Sequence, residues 1–135
     1  TFARFTERAA LAEAAGYYPA EGFGFDLNGF AGAQAPRFGE EGCSTPQEDP
    51  VTYPFQSYAG DITFTQPFAG NREFDFNTEG FAHIGLLPEM LQDARGDAES
   101  DADLEPIFRS AEGYIQMWER AEARGAAIAI SRDDR

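Results

Sequence analysis

Asp26 closes a short apolar run, Gly22-Phe23-Gly24-Phe25-Asp26-Leu27, and stands just before a Gly-rich stretch. In α/β folds ligands bind at the carboxyl ends of strands, so an acid placed there faces a site. Such a carboxylate can take a proton and give it back. The alternative is that Asp26 caps a turn with the Asn28-Gly29 that follows. His83 is the one histidine, set in Phe81-Ala82-His83-Ile84-Gly85. Imidazole can shuttle protons near neutral pH or ligate a metal; between apolar neighbours it can equally be a hydrogen-bonded structural residue. Arg37, in Pro36-Arg37-Phe38-Gly39, presents a guanidinium that can hold a carboxylate by two parallel bonds. The plainer expectation for it is a surface ion pair on an acidic protein.

Other side chains offer less. Cys43 has no second cysteine and no adjacent base, which makes a nucleophile there weak. One His and one Cys do not suffice for a His-rich catalytic zinc site or a disulfide framework, so no metal ligand is assigned to this chain. No phosphate-binding Gly loop, Ser nucleophile elbow or EF-hand acid pattern is present.

The elements that would position these residues follow from spacing. Residues 2–15 carry Phe2, Phe5, Ala9 and Ala12 at three- to four-residue intervals, which predicts a helix stopped by Gly16. Residues 22–27 read as a buried strand. From Asn28 to about Asp61 the chain is rich in Gly, Pro and aromatics with little periodicity, as in a long functional or packed loop. Residues 62–69 and 72–77 alternate around Gly70-Asn71, which predicts a hairpin with a two-residue turn. Pro67, lacking an N–H, places its strand at an edge. A short helix over 87–95 has Pro88 in its first turn and Gly96 as its stop. Leu104, Ile107, Phe108, Ala111, Tyr114, Ile115, Trp118 and Ala121 form one apolar stripe, which predicts a helix over 103–124 capped by Ser100 or Asp101 and ended by Gly125. Residues 126–135 read as a loosely held tail after a single domain, 1–125.

Composition bounds the rest. At 135 residues the chain has room for one modest domain. A closed (β/α)₈ barrel of about 250 residues does not fit in it. No apolar run approaches the roughly 18 residues of a membrane-spanning helix, and no leader pattern is read at the start. Thr1 in first place fits a soluble product that is processed, secreted or a fragment; its compartment stays open. Twenty-four acids against ten bases, all ten of them Arg, give a charge of −14. Such a surface repels phosphate backbones and anionic membranes, which excludes nucleic acid as a partner.

Several of these segments together resemble one family. Gly24-Phe25-Asp26-Leu27-Asn28-Gly29 is similar to the Gly-Ser-Asp-Phe-Asp-Gly segment of membrane (renal-type) dipeptidases, in the metal-dependent amidohydrolase superfamily. Their loop continues into Pro-Arg-Phe-Gly, as at 36–39 here. The run from Asn77 through Gly80 and His83 to Pro88 resembles their Asp-Gly-x-Ala-His-Tyr-Gly-Leu-x-Pro, and Tyr114 to Arg120 resembles their closing helix. The likeness covers about residues 17–122.

The resemblance implies an α/β fold, the C-terminal segment of a (β/α)₈ barrel with a long loop and a β-hairpin insertion. A second chain or a missing N-terminal half would complete that barrel. It implies hydrolysis of amide bonds in small dipeptide-like substrates by metal-activated water, with zinc held mainly by residues outside this chain. Asp26 takes the family's proton-transfer position, with His83 as a second catalytic candidate and Arg37 and Asn28 as substrate-binding ones. Asn28 stands where the family has its second acid, and Phe25 where it has Ser. Two other readings stay open: a non-catalytic assembly subunit, and a lactonase or esterase on the same scaffold.

Overall fold

The computed structural model describes residues 2–22, 24 and 34–133, with side chains described as far as 128. The expected barrel strand at 22–27, with Asp26 and Asn28, lies largely outside the described residues. The described residues combine helices with two small antiparallel ribbons. They fall into two compact units, Thr1–Gly24 with Ala102–Arg135, and Phe25–Asp101.

In the first unit α1 spans Ala3–Ala14. It ends as the sequence predicts. Gly16 takes a positive φ of 78°, its N–H donates to the carbonyl of Glu13, and that of Tyr17 donates to Ala12. This Schellman arrangement satisfies the last helical carbonyls. The segment after it is tied down by the Glu21 N–H donating to the Pro106 carbonyl at 2.8 Å and by an ion pair between Arg8 and Glu21. α4 (Glu105–Phe108) carries Pro106 in its first turn and, with Leu104 just before it, supplies the buried Leu104, Pro106 and Ile107; Ala9 is the buried residue of α1.

The long helix departs from expectation. The span 103–124 is broken at Arg109 into α4 and α5 (Ser110–Asp133), and Gly125 lies inside α5 instead of ending it. An exposed helical Gly costs only about 1 kcal/mol, which the surrounding Ala residues offset by propensity. Residues 126–133, read as a loose tail, are therefore helical. The apolar stripe is core only at its start. Leu104 and Ile107 are buried, whereas Tyr114, Ile115 and Trp118 are 60%, 50% and 54% exposed.

In the second unit the expected hairpin forms, but shorter. β3 (Phe68–Ala69) pairs with β4 (Arg72–Glu73) in the register Ala69↔Arg72, around a turn in which Gly70 has φ 62°. The run 62–69 is not one strand. β2 (Thr63–Phe64) pairs instead with β1 (Phe55–Gln56), and Phe55 stacks on Phe64 with centroids 5.1 Å apart. Pro67 separates β2 from β3, since it cannot donate to a ladder. β1 was hidden in the aperiodic stretch, being too short to show a period.

The expected strand 72–77 also stops early. Asp75 caps a single turn, α2 (Phe76–Glu79), by accepting from the Asn77 N–H at 3.0 Å and from the Thr78 hydroxyl at 2.8 Å. The Glu79 carboxylate reaches back to accept the Asp75 N–H at 3.0 Å, a reciprocal cap of the capping-box kind. Gly80, at φ 66°, then turns the chain against Gln34, Ala35 and Pro36, where an added Cβ would collide with their backbone. α3 (Leu87–Asp97) carries Pro88 in its first turn as predicted but runs one residue past Gly96. Val51, Phe74, Phe76, Phe81 and Leu86 form the core of this unit, with Tyr53, Phe55, Leu87 and Met90 packed against it.

Candidate functional site

α3 places two acids four residues apart on its inner face. Glu89 is 2% exposed and Asp93 5%, and they head the polar groups buried in the second unit. Leu86, three residues before Glu89, is fully buried, so the face that carries both acids is the one turned to the core.

Asp93 is met by the two loop residues before it in sequence. The Arg37 Nη1 donates to Oδ1 at 2.7 Å, and the Gln34 amide donates to Oδ2 at 3.3 Å. Arg37 also donates from Nε to Gln47 at 3.3 Å and from Nη2 to the Glu48 carbonyl at 2.9 Å. All three nitrogens of the guanidinium are thus committed. The structure makes Arg37 part of an ion pair, but a buried one, with the arginine side chain 15% and the aspartate 6% exposed. Burial raises the Asp93 carboxyl above its ordinary range, and the Arg37 charge opposes that. The guanidinium thus ties the loop to α3 and leaves no nitrogen without a protein partner.

Glu89 sits one turn earlier among less generous partners. The Tyr53 hydroxyl donates to Oε1 at 3.3 Å, while Oε2 is buried without a partner among the described residues. Burial pushes the Glu89 carboxyl up, and it also pushes the Tyr53 phenol well above its usual range, helped by the Glu89 charge.

His83 belongs to the same neighbourhood. It caps the short 3₁₀ turn Ile84–Leu86, its Nδ1 accepting the Gly85 N–H at 3.0 Å. The neutral ring therefore carries its proton on Nε2. Its ring lies edge-on to Phe74 at 4.5 Å, and its charged form acts electrostatically on Glu89. Nε2 is buried and unpartnered among the described residues. A Cβ at Gly85 would lie 2.6 Å from the ring, so this position must be Gly for the imidazole to fold back. Tyr53 and Glu89 are thus joined by a hydrogen bond in an apolar setting, with His83 nearby and its Nε2 unshared among the described residues.

A first expected result follows. Because Glu89 titrates higher in the folded protein than when unfolded, its stabilising share is complete below its unfolded pKa and falls as pH rises through the folded one. Glu89→Gln keeps the shape and the acceptor for Tyr53 but removes that ionisation. It should raise stability at pH 7.5 by on the order of 1–3 kcal/mol, the excess cost of burying the carboxylate over its neutral form, with the gain vanishing near pH 4. Thermal melts at the two pH values measure it; an equal effect at both would mean that Glu89 stays neutral throughout.

The structure brings Arg37 and His83 into one unit but gives each a different acid on α3. Asp26 and Asn28 lie outside the described residues. Glu89, Asp93 and Tyr53 were missed by sequence reasoning, which had only one usable signal: Leu86, Glu89 and Asp93 fall on one line of a helix. Among the described residues no group of three His, Cys, Asp or Glu side chains can hold a metal, and Cys43 is exposed and alone. The donor set of the described residues does not fit a zinc ion. No helix among them is long and apolar enough to cross a membrane. Comparison with protein-family models, curated proteins and solved structures finds no match to this chain.

Proposed function

We propose that this chain is the C-terminal part of a metal-dependent hydrolase that cleaves amide bonds in small dipeptide-like substrates, completed by a second chain or a preceding half. The reading is supported by the way its motif segments interlock. The Phe38 N–H donates to the Asn77 carbonyl at 3.0 Å and the Phe81 N–H to the Gln34 carbonyl at 2.9 Å, so that the loop at 34–39 and the run at 77–88 form one body. In this reading zinc is held by the remainder of the enzyme. Asp26 is the proton-transfer group, Asn28 contacts substrate, and Arg37 sets the loop through Asp93. His83 is the second catalytic candidate of this reading, with its Nε2 unshared among the described residues.

The half-exposed face of Tyr114, Ile115 and Trp118 on α5 favours a second reading, an assembly subunit whose task is to be covered. Both readings expect an interface of about 2,000 Å² or more with the completing part. They separate on the complete assembly, by zinc content and by turnover of Xaa-Gly and Xaa-D-Ala dipeptides beside a panel of lactones. Bound zinc with dipeptide turnover abolished by a chelator is expected. An assembly with neither metal nor turnover leaves the structural role, and turnover of lactones alone makes the enzyme a lactonase or esterase.

A further inference from the structure

The first unit contains a cleft of about 300 Å³ between the Tyr17–Tyr18 segment and the face of α5 from Gly113 to Arg124. This volume stands at the lower end of the roughly 300–1,000 Å³ of small-molecule sites. Gly113 makes it possible: an added Cβ there would collide with Ala20, so only Gly lets the 18–20 segment approach the helix. Tyr17, Tyr18, Met117 and Ala121 give the walls a mostly apolar character.

Its charge is the opposite of the chain's. The protein has 24 acids and 10 bases, yet this cleft is lined by two arginines, Arg120 and Arg124, and by no acid. Arg120 is oriented by the Gly16 carbonyl, to which Nη1 donates at 2.9 Å, and by the Tyr17 ring, 5.3 Å from its Cζ. Its other nitrogens make no hydrogen bond among the described residues. Arg124 lies one helical turn further along the same face. Among the described residues its side chain has no ion pair and no hydrogen bond. Two cations at i and i+4 repel each other, a cost that an anion lodged between them removes. A carboxylate fits the planar guanidinium fork, and the tyrosine and methionine walls favour an apolar body behind it.

We propose that this cleft binds a small organic acid, a monocarboxylate with an apolar body. The inference stands apart from the hydrolase reading, which uses none of these residues. The test is calorimetric titration of the purified protein with 4-phenylbutyrate, with its neutral amide, and with a tripeptide ending in Phe. One-to-one binding of the acid is expected, at least tenfold tighter than the amide and weakened by salt, as a charge contact at the surface should be. Arg124→Gln should weaken it tenfold or more, and Ala121→Phe should block it by filling the cleft. Arg4→Gln, on exposed α1, should change nothing. Equal binding of acid and amide, or an undiminished affinity in Arg124→Gln, would overturn the assignment. So would no heat with millimolar acid, and tighter binding of the tripeptide would replace a free acid by a chain end.

Discussion

In the purified protein, Arg37→Met should lower the free energy of unfolding by about 3–5 kcal/mol, the loss found when one partner of a buried ion pair is removed. The size follows from what the guanidinium leaves behind. Asp93 is 6% exposed at its side chain and keeps only the Gln34 amide at 3.3 Å when Arg37 is gone. The variant also frees Gln47 and the Glu48 carbonyl, so the loop loses its tether to α3 along with the charge. Asp93 is already raised by burial, and without the arginine it rises further. The defect should therefore shrink towards pH 4, where a protonated carboxyl tolerates burial, and be largest above neutrality. The double variant Arg37→Met, Asp93→Leu should recover most of the loss, since an apolar pair of similar volume avoids desolvating either charge. Urea midpoints at pH 4 and pH 7.5 provide the measurement. A loss below about 1 kcal/mol at both would put the pair in the class of exposed ion pairs.

The second large effect is expected on catalysis. If Asp26 moves the proton, Asp26→Asn in the complete assembly should cut kcat by roughly 10²–10⁴, the usual worth of a positioned acid–base group. Folding and metal content should be intact, because Asn preserves shape and hydrogen-bonding reach. The turn-capping alternative expects the reverse. Asn caps as well as Asp, so neither stability nor rate would change much. A melting curve, a zinc measurement and kcat on this single variant decide between them. Turnover like that of the unsubstituted enzyme would take Asp26 out of the mechanism, and with it most of the likeness to the dipeptidases.

The parts of the fold legible in the sequence are those fixed by local backbone chemistry. Gly16 and Pro88 marked a helix end and a helix start through their own backbones, Gly by tolerating positive φ and Pro by fixing φ and lacking an N–H, and Gly70-Asn71 marked its turn through the same tolerance of Gly. The boundaries that failed were set by partners at a distance. Asp75 cut a strand short by capping the turn after it, and β1 became a strand only because β2 lay beside it. The apolar stripe running into α5 predicted a helix from period alone, and period says which face is apolar, not what covers it. At the candidate site His83 and Arg37 were visible as residue types. Their acids were not, because Glu89 and Asp93 look like ordinary surface charges until the arginine loop and the Tyr53 hydroxyl close over α3. The signal is faint. Two acids in line with a leucine are as easily solvated as buried.

Asn77 gives the irregular half of the second unit a property its secondary structure would not suggest. Its side-chain amide accepts the Val51 N–H at 2.8 Å and donates to the Val51 carbonyl at 2.9 Å, the two bonds a neighbouring strand would make. Its own carbonyl holds the Phe38 N–H. Val51 is buried in the core, on a stretch assigned to neither helix nor strand. For Val51 to release its amide proton, Asn77 must leave, and Asn77 is fixed within α2 between Asp75 and Gly80. In hydrogen-exchange terms Val51 and Phe38 then belong to one foldon with the core, opening together rather than fraying one at a time. A segment drawn as loop keeps the exchange clock of a sheet.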